Sequence, residues 1–347
     1  MNPSRCVRIF CLSIVAVAVL SLCISYRSTP EFPVIKDDSD DLPRHITVLI
    51  DNVMLIDLVR ISPGSLKMGR DTVFEDYMPF NFNEDHSADS QPSFRATITK
   101  GYYIGKNNIS VRQFADFLNT TEKTEREKYV IFKHDNSLTG LESQFLQFEN
   151  GDKVSIIANE HHLTDATVWG RAHEDMPVAN VTWQGAVAFC EWLSRCSTLD
   201  FRLPTEAEWA LAARGHANTY DYLYEWDTTK RVFPTRIPGP GPTTPDGIGG
   251  LATGYLGNWC SDYFDKFTPD AKKNPRGPTT QTKFGNSHVL RRPLLSIYNR
   301  YSGFAADNNG VYGFRVVLDE DSVRKYIEQP ELLPNNVTIL DNGAAAL

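Results

Sequence analysis

The chain has 347 residues, 41% of them hydrophobic and 22% charged, and 35 Lys and Arg against 43 Asp and Glu give a formal charge of −8. It is long and apolar enough to bury a sizeable globular core. No basic run exceeds two residues, which argues against a nucleic-acid partner, because such partners require clustered Lys and Arg.

Residues 1–27 differ in kind from the rest. Arg5 and Arg8 precede Ile9 to Ser25, an uncharged apolar run closed by Tyr26 and Arg27. The pattern reads as a signal peptide or a short N-terminal membrane anchor. It predicts an exported, extracytoplasmic body, held at a membrane if the leader is not cleaved. Leu22 is bulky for the residue before the cysteine of a lipoprotein box. Cys6, Cys11 and Cys23 fall in this leader, leaving Cys190, Cys196 and Cys260 in the body. Three thiols permit at most one internal disulfide, and without a C-x-x-C pair neither a zinc knuckle nor a thioredoxin-type site is supported. Sequons begin at Asn108, Asn119, Asn180 and Asn336, and they matter only where exported proteins are glycosylated.

Residues 28–50, with Pro30, Pro33 and an Asp-rich run, read as a solvated linker. A folded domain is expected over 51–319. Val53 to Ile61, the turn at Ser62-Pro63-Gly64-Ser65 and Leu66 to Gly69 give a strand–turn–strand signal. Arg95 to Ile104 alternates as another strand. Ser110 and Gln113 form a capping box before Phe114, Phe117 and Leu118, which predicts a helix to Asn119. Two short strands, 145–148 and 154–157, flank Asn150-Gly151, a hairpin signal. A helix is expected after Thr182, with Trp183, Ala186, Cys190 and Leu193 on one face. Residues 220–257 are rich in Gly and Pro and read as loop. His288 to Leu290 and Gly313 to Leu318 are the last strand candidates, and 320–347 reads as a peripheral tail.

Arg202 to Gly215 (RLPTEAEWALAARG) is a short helix with both ends marked. Thr205 and Glu208 stand in capping-box relation, Pro204 stops any preceding helix, and Gly215 suits the left-handed position past the last turn. Trp209, Ala212 and Ala213 form a narrow face that lets another backbone approach.

Chemistry is sparse. Glu160, His161 and His162, with His173, Glu174 and Asp175, are weak transition-metal candidates by residue type, without the i, i+4 helical spacing of H-x-x-x-H. There is no G-x-S-x-G, Walker A or dinucleotide fingerprint, so no catalytic residue is assigned.

Six blocks in order resemble the sulfatase-modifying-factor, or formylglycine-generating-enzyme-like, family. They are Leu58 to Gly69, Gly101 to Asn119, Met176 to Leu193, Arg202 to Gly215, Gly254 to Phe264 and Gly313 to Val317. The resemblance implies an irregular α+β domain of C-type-lectin-like fold. It also implies oxidation of a sulfatase cysteine to formylglycine, with molecular oxygen and a copper ion held by two cysteines. The segment matching that cysteine pair, Val289 to Phe304, contains no cysteine, and Arg292 and Pro293 replace two glycines. Copper is therefore not expected. The family's structural calcium loses an Asn and a Glu, at Tyr255 and Asn258. Asn258 and Asp262 remain as candidate oxygen donors, so calcium stays open.

The reading is a non-oxidase member acting as a binding or structural module for a protein, peptide or glycan. The alternatives are an oxygen-dependent sulfatase-modifying or nonheme metal oxidase with other ligands, and an accessory envelope lipoprotein.

Overall fold

The computed structural model of the chain describes residues 41–71, 90–130, 146–149, 153–156, 173–175, 177–214, 256–291, 300–305 and 312–341. These residues fall within the unit Ile35–Leu347. The strands are β1 (His45–Ile50), β2 (Met54–Ile61), β3 (Gly64–Met68), β4 (Phe94–Ile98), β5 (Tyr102–Gly105), β6 (Leu146–Glu149) and β7 (Lys153–Ile156), then β8 (Gly257–Tyr263), β9 (Lys272–Lys273), β10 (Ser287–Arg291), β11 (Arg300–Phe304), β12 (Tyr312–Gly313), β13 (Val317–Asp319) and β14 (Val337–Asp341). The helices are α1 (Val111–Asn119), α2 (Lys123–Tyr129), α3 (Trp183–Ser197), α4 (Glu206–Arg214) and α5 (Glu320–Glu328).

Period-2 alternation builds the main sheet. In β2, Met54, Ile56 and Leu58 are buried while Leu55 and Asp57 face out, as a half-covered antiparallel sheet requires. Its order is β13-β5-β2-β1-β14, and every neighbouring pair is antiparallel. A four-stranded sheet has the order β11-β10-β8-β12, and a three-stranded one the order β3-β4-β9. β6 and β7 pair in register Leu146↔Ile156 to Glu149↔Lys153, the hairpin that the Asn-Gly pair predicts. Short strands outnumber helices, so the fold is mixed α+β.

The helix starts follow their capping residues. Ser110 Oγ accepts the Gln113 N–H and Gln113 Oε1 accepts the Ser110 N–H, which completes the box of α1. Thr182 Oγ1 accepts the Gly185 N–H at 3.0 Å at the start of α3. α1 and α3 meet through an aromatic cluster in which Phe114 stacks on Phe189 at 5.9 Å and Phe314 closes edge-on. These rings are fully buried, each contributing about 2–3 kcal/mol of apolar transfer free energy. α3 also crosses the last residue of α2 very closely, since a Cβ on Gly185 would lie 2.3 Å from the Tyr129 carbonyl oxygen.

Four expectations are corrected. The linker does not extend to residue 50. Leu42 is buried and His45–Ile50 forms β1, an inner strand between β2 and β14, because Ile46, Val48 and Ile50 alternate onto the core face. The segment beyond Asp319 is not peripheral. α5 buries Val323 and Tyr326, and β14 pairs along the whole of β1. The runs 95–104 and 313–318 each break into two strands belonging to different sheets. The first divides at Lys100-Gly101, where Gly101 is pressed against the Glu320 carboxylate. Residues 123–129 form helix α2, which a polar excursion did not suggest. Its stability comes from packing on α3 rather than from a hydrophobic stripe.

Candidate functional site

The end of β10 and the start of β11 bracket residues 292–299, the stretch matching the family's cysteine loop. Arg291 and Arg300 are partners across the two strands, and both are buried. Each points to Glu206, the first residue of α4. Arg300 grips it at both oxygens, Nε to Oε1 and Nη2 to Oε2, each at 2.9 Å. Arg291 Nη1 adds a third bond to Oε1 at 3.1 Å. The guanidinium of Arg300 also lies 4.0 Å from the Phe267 ring centroid and 4.5 Å from that of Phe264, and Arg291 covers Trp209 at 5.2 Å.

Helix α4 is anchored on its other flank. Thr205 and Glu208 make the capping box, with Thr205 N–H to Glu208 Oε2 at 2.8 Å and Glu208 N–H to Thr205 Oγ1 at 3.2 Å. Arg202 holds both oxygens of Glu208 at 2.8 Å. Trp209, Ala212 and Ala213 are buried, the narrow face expected from the sequence. Gly215 lies outside the described residues.

Asp262 on β8 meets the same helix start, accepting the Glu206 N–H at 2.8 Å. Burial, reinforced by the Glu206 charge, pushes its carboxyl up to about 7. Asn258, four residues back on the strand, accepts the Arg315 Nε–H at its Oδ1 at 3.2 Å and donates its Nδ2–H to the Leu256 carbonyl at 3.1 Å. Arg315 also donates to the Gly105 and Lys106 carbonyls, each at 2.8 Å, and burial pushes it down to about 9. The oxygens of Asn258 and Asp262 are thus bonded to protein donors on separate neighbours.

Further along β10, His288 is fully buried. Its ring stacks on Trp183 at 3.6 Å and leans on Tyr263 at 4.3 Å. Neither ring nitrogen has a hydrogen-bond partner among the described residues. The backbone of Ser261 and Asp262 favours protonation weakly, burial opposes it more strongly, and the imidazole is pushed down to about 4. It is neutral at physiological pH.

His161, His162 and Glu160 lie outside the described residues. His173 begins a single 3-10 turn to Asp175, and Glu174 is ion-paired to Arg112. Among the described residues no group of three or more His, Cys, Asp and Glu converges as a metal site, and no helix is long and apolar enough to cross a membrane. Cys190, Cys196 and Cys260 are free thiols. Cys190 and Cys260 are buried, which pushes both well up from the ordinary thiol range.

A profile of the sulfatase-modifying factor enzyme 1-like domain matches residues 50–236, more than half of the chain. The chain belongs to the sulfatase-modifying factor family. It is 26% identical over 281 residues to the formylglycine-generating enzyme of Streptomyces coelicolor, covering 69% of this chain and 85% of that protein. It is 25% identical over 246 residues to the serine/threonine-protein kinase Pkn1 of Chlamydia trachomatis serovar L2, covering 68% of this chain but only 36% of the kinase. The chain therefore spans about a third of that relative's length. A 52-residue stretch is 49% identical to a mouse protein named inactive C-alpha-formylglycine-generating enzyme 2, covering 15% of this chain and 14% of the relative.

Within this family frame, the donor set does not fit copper. Residues 289–304 offer no thiol, imidazole or thioether, and soft Cu(I) prefers sulfur ligands. Cys190 and Cys260 are committed to the core on α3 and β8. The Glu206–Arg291–Arg300 clamp was not singled out from the sequence. Glu206 is locally only an acidic residue in a first helical turn, and nothing local marks Arg300 as its partner 94 positions away.

Proposed function

We propose that this member of the family is an extracytoplasmic binding or structural module rather than a formylglycine-generating oxidase. The observation that carries the reading is the sulfur-free segment 289–304 in a body where Cys190 and Cys260 are sealed in the core. Oxidation of a substrate thiol by molecular oxygen needs a metal or another activating group. The thiolate pair that would hold copper is not encoded here.

What the fold retains suits presentation of a surface. Three charged hydrogen bonds to one buried carboxylate fix both ends of the 292–299 segment. A cleft of about 290 Å³ lies on the other flank of α4, lined by Lys100, Gly101, Arg202, Arg276 and Asp319 among others. Such a cleft suits a polar peptide or glycan group, held by side chains and backbone rather than transformed. The mouse relative named inactive is consistent with loss of oxidase chemistry within the family.

The decisive experiment measures copper in the purified full chain after loading with Cu(I), then oxidation of a peptide carrying Cys-x-Pro-x-Arg under oxygen. The expected result is substoichiometric copper and unmodified peptide. Stoichiometric copper with oxygen-dependent formylglycine product overturns the reading.

A further inference from the structure

The two edges of the main sheet are treated differently. At one edge β13 is closed by a bridge to the segment before α4. Arg202 N–H donates to the Val317 carbonyl at 3.0 Å, and Val317 N–H to the Arg202 carbonyl at 2.8 Å. At the other edge β14 pairs with β1 alone among the described residues. The register fixes which of its backbone groups point outward. The Asp51 N–H reaches the Asn336 carbonyl at 2.8 Å. With β1 and β14 antiparallel from Ile46↔Asp341 to Ile50↔Val337, positions 336, 338 and 340 therefore bond to β1, and Val337, Ile339 and Asp341 face away from it. The Val337 N–H turns back to the Pro334 carbonyl at 2.9 Å. The N–H and carbonyl of Ile339 have no partner among the described residues.

An open edge is a template for another strand, and proteins usually blunt it with Lys, Pro or a bulge. Val337–Asp341 (VTILD) carries neither Lys nor Pro, and its register with β1 is unbroken. Its solvent face is apolar at the centre. Leu340 is 42% exposed there, and Leu55, on the same face of the sheet, is 52% exposed.

We propose that β14 pairs with the β14 of a second copy of this chain, antiparallel and centred on Ile339. In that register Ile339 exchanges N–H and C=O with its counterpart, and Asp341 lies opposite Val337. On the solvent face Leu340 meets Thr338 and reaches the other Leu340 across the two-fold axis. The strand is thus complementary to its own reverse, with no charge opposite a like charge, and this is what favours a second copy as the occupant. Because Arg202 closes the β13 edge, the contact is isologous and stops at two copies instead of propagating into a fibre. Such a short pairing lies at the low end of interface size, so the dimer is reversible. Each copy carries a formal charge of −8, so mutual repulsion opposes the dimer and added salt strengthens it.

The test reads association and its location separately. The purified full chain is sedimented from about 10 μM to about 1 mM at low and high salt, and backbone amide exchange is followed at Ile339 over the same range. The expected result is a monomer–dimer equilibrium that tightens with salt, with Ile339 exchange slowing as the dimer fills. Ile339→Pro removes the outward donor without touching a bond to β1, a position where an edge strand tolerates Pro. Leu340→Glu changes only a side chain exposed in the monomer and sets two carboxylates across the axis, so it carries the test if Ile339→Pro does not fold. Each variant should weaken association at low salt by about ten-fold or more, and salt should restore the Leu340→Glu dimer but not the Ile339→Pro one. A chain that stays monomeric up to about 1 mM overturns the proposal. So does a dimer that keeps its strength in the folded variants while Ile339 exchange stays fast, because the contact then lies elsewhere. An Ile339 amide already protected in the monomer overturns it too, because the edge is then covered within one copy.

Discussion

Arg291 and Arg300 face each other across β10 and β11, and their guanidinium groups close on one carboxylate, that of Glu206. Two like charges at adjacent strand positions repel unless a counter-charge lies between them. Glu206 supplies it from the first turn of α4, so a helix start and a strand pair are locked together. The stretch between the arginines is the one that the family resemblance aligns with a cysteine pair, and here it contains no cysteine.

Removing that counter-charge leaves two buried cations facing each other. Glu206→Gln keeps the shape and loses the charge, and should destabilise the fold by about 3–5 kcal/mol. Urea denaturation of the purified variant measures this. A loss below about 1 kcal/mol, the scale of an exposed ion pair, would mean that the clamp contributes little to stability.

His288 should make stability depend on acid. Its folded-state value, about 4, lies below the usual value for an unfolded histidine, so the unfolded chain takes up the proton first. The contribution is fully present above about pH 6.5 and is lost as pH falls toward 4, on the order of 2–3 kcal/mol in total. Asp262 slopes the opposite way. With a carboxyl raised to about 7, its contribution is greatest below the ordinary aspartate range and is lost as pH rises toward 7. His288→Phe, which preserves stacking on Trp183, should remove the acid-side loss and leave the opposing slope of Asp262. An unchanged difference in stability between pH 6.5 and 4 in that variant would refute the assignment.

Gly185 is where α3 touches the backbone of Tyr129, the last residue of α2. Gly185→Ala forces a Cβ to within 2.3 Å of the Tyr129 carbonyl oxygen, and backbone cannot give way as a side chain does. The expected cost is about 3 kcal/mol, seen as a lowered Tm. Ala186→Gly in the next position creates no such overlap and should cost only about 1 kcal/mol through helix propensity. Equal effects of the two changes would exclude close approach as the cause.

The body thiols should divide by burial. Cys196 is half-buried near the end of α3, while Cys190 and Cys260 are sealed in the core. Thiolate is the reactive species, so a maleimide probe under native conditions should label Cys196 first. Cys190 and Cys260 should react only at the rate of unfolding. Peptide mapping of the labelled chain reads the order, and early labelling of Cys260 would contradict its place in β8.

Local sequence carried much of this architecture. The boxes Ser110–Gln113 and Thr205–Glu208 and the alternation of 54–61 were legible because each rests on residues within a few positions of one another. So was the lack of sulfur in 289–304, which is a matter of composition. Other features depend on distant segments. β1 falls within the expected linker although Ile46, Val48 and Ile50 alternate, because the neighbouring Asp-rich stretch masks so short a run, and β14 falls within the expected tail because its partner lies nearly the whole chain away.

The sequence by itself determined the capped helix starts, the face of β2, the family and the lack of sulfur in 289–304, all properties of short-range order and residue type. Only the tertiary structure decided that Glu206 joins Arg291 to Arg300 and that His288 lies neutral between two aromatic rings. Those outcomes depend on desolvation and on neighbours brought together from far along the chain, and no local pattern encodes them.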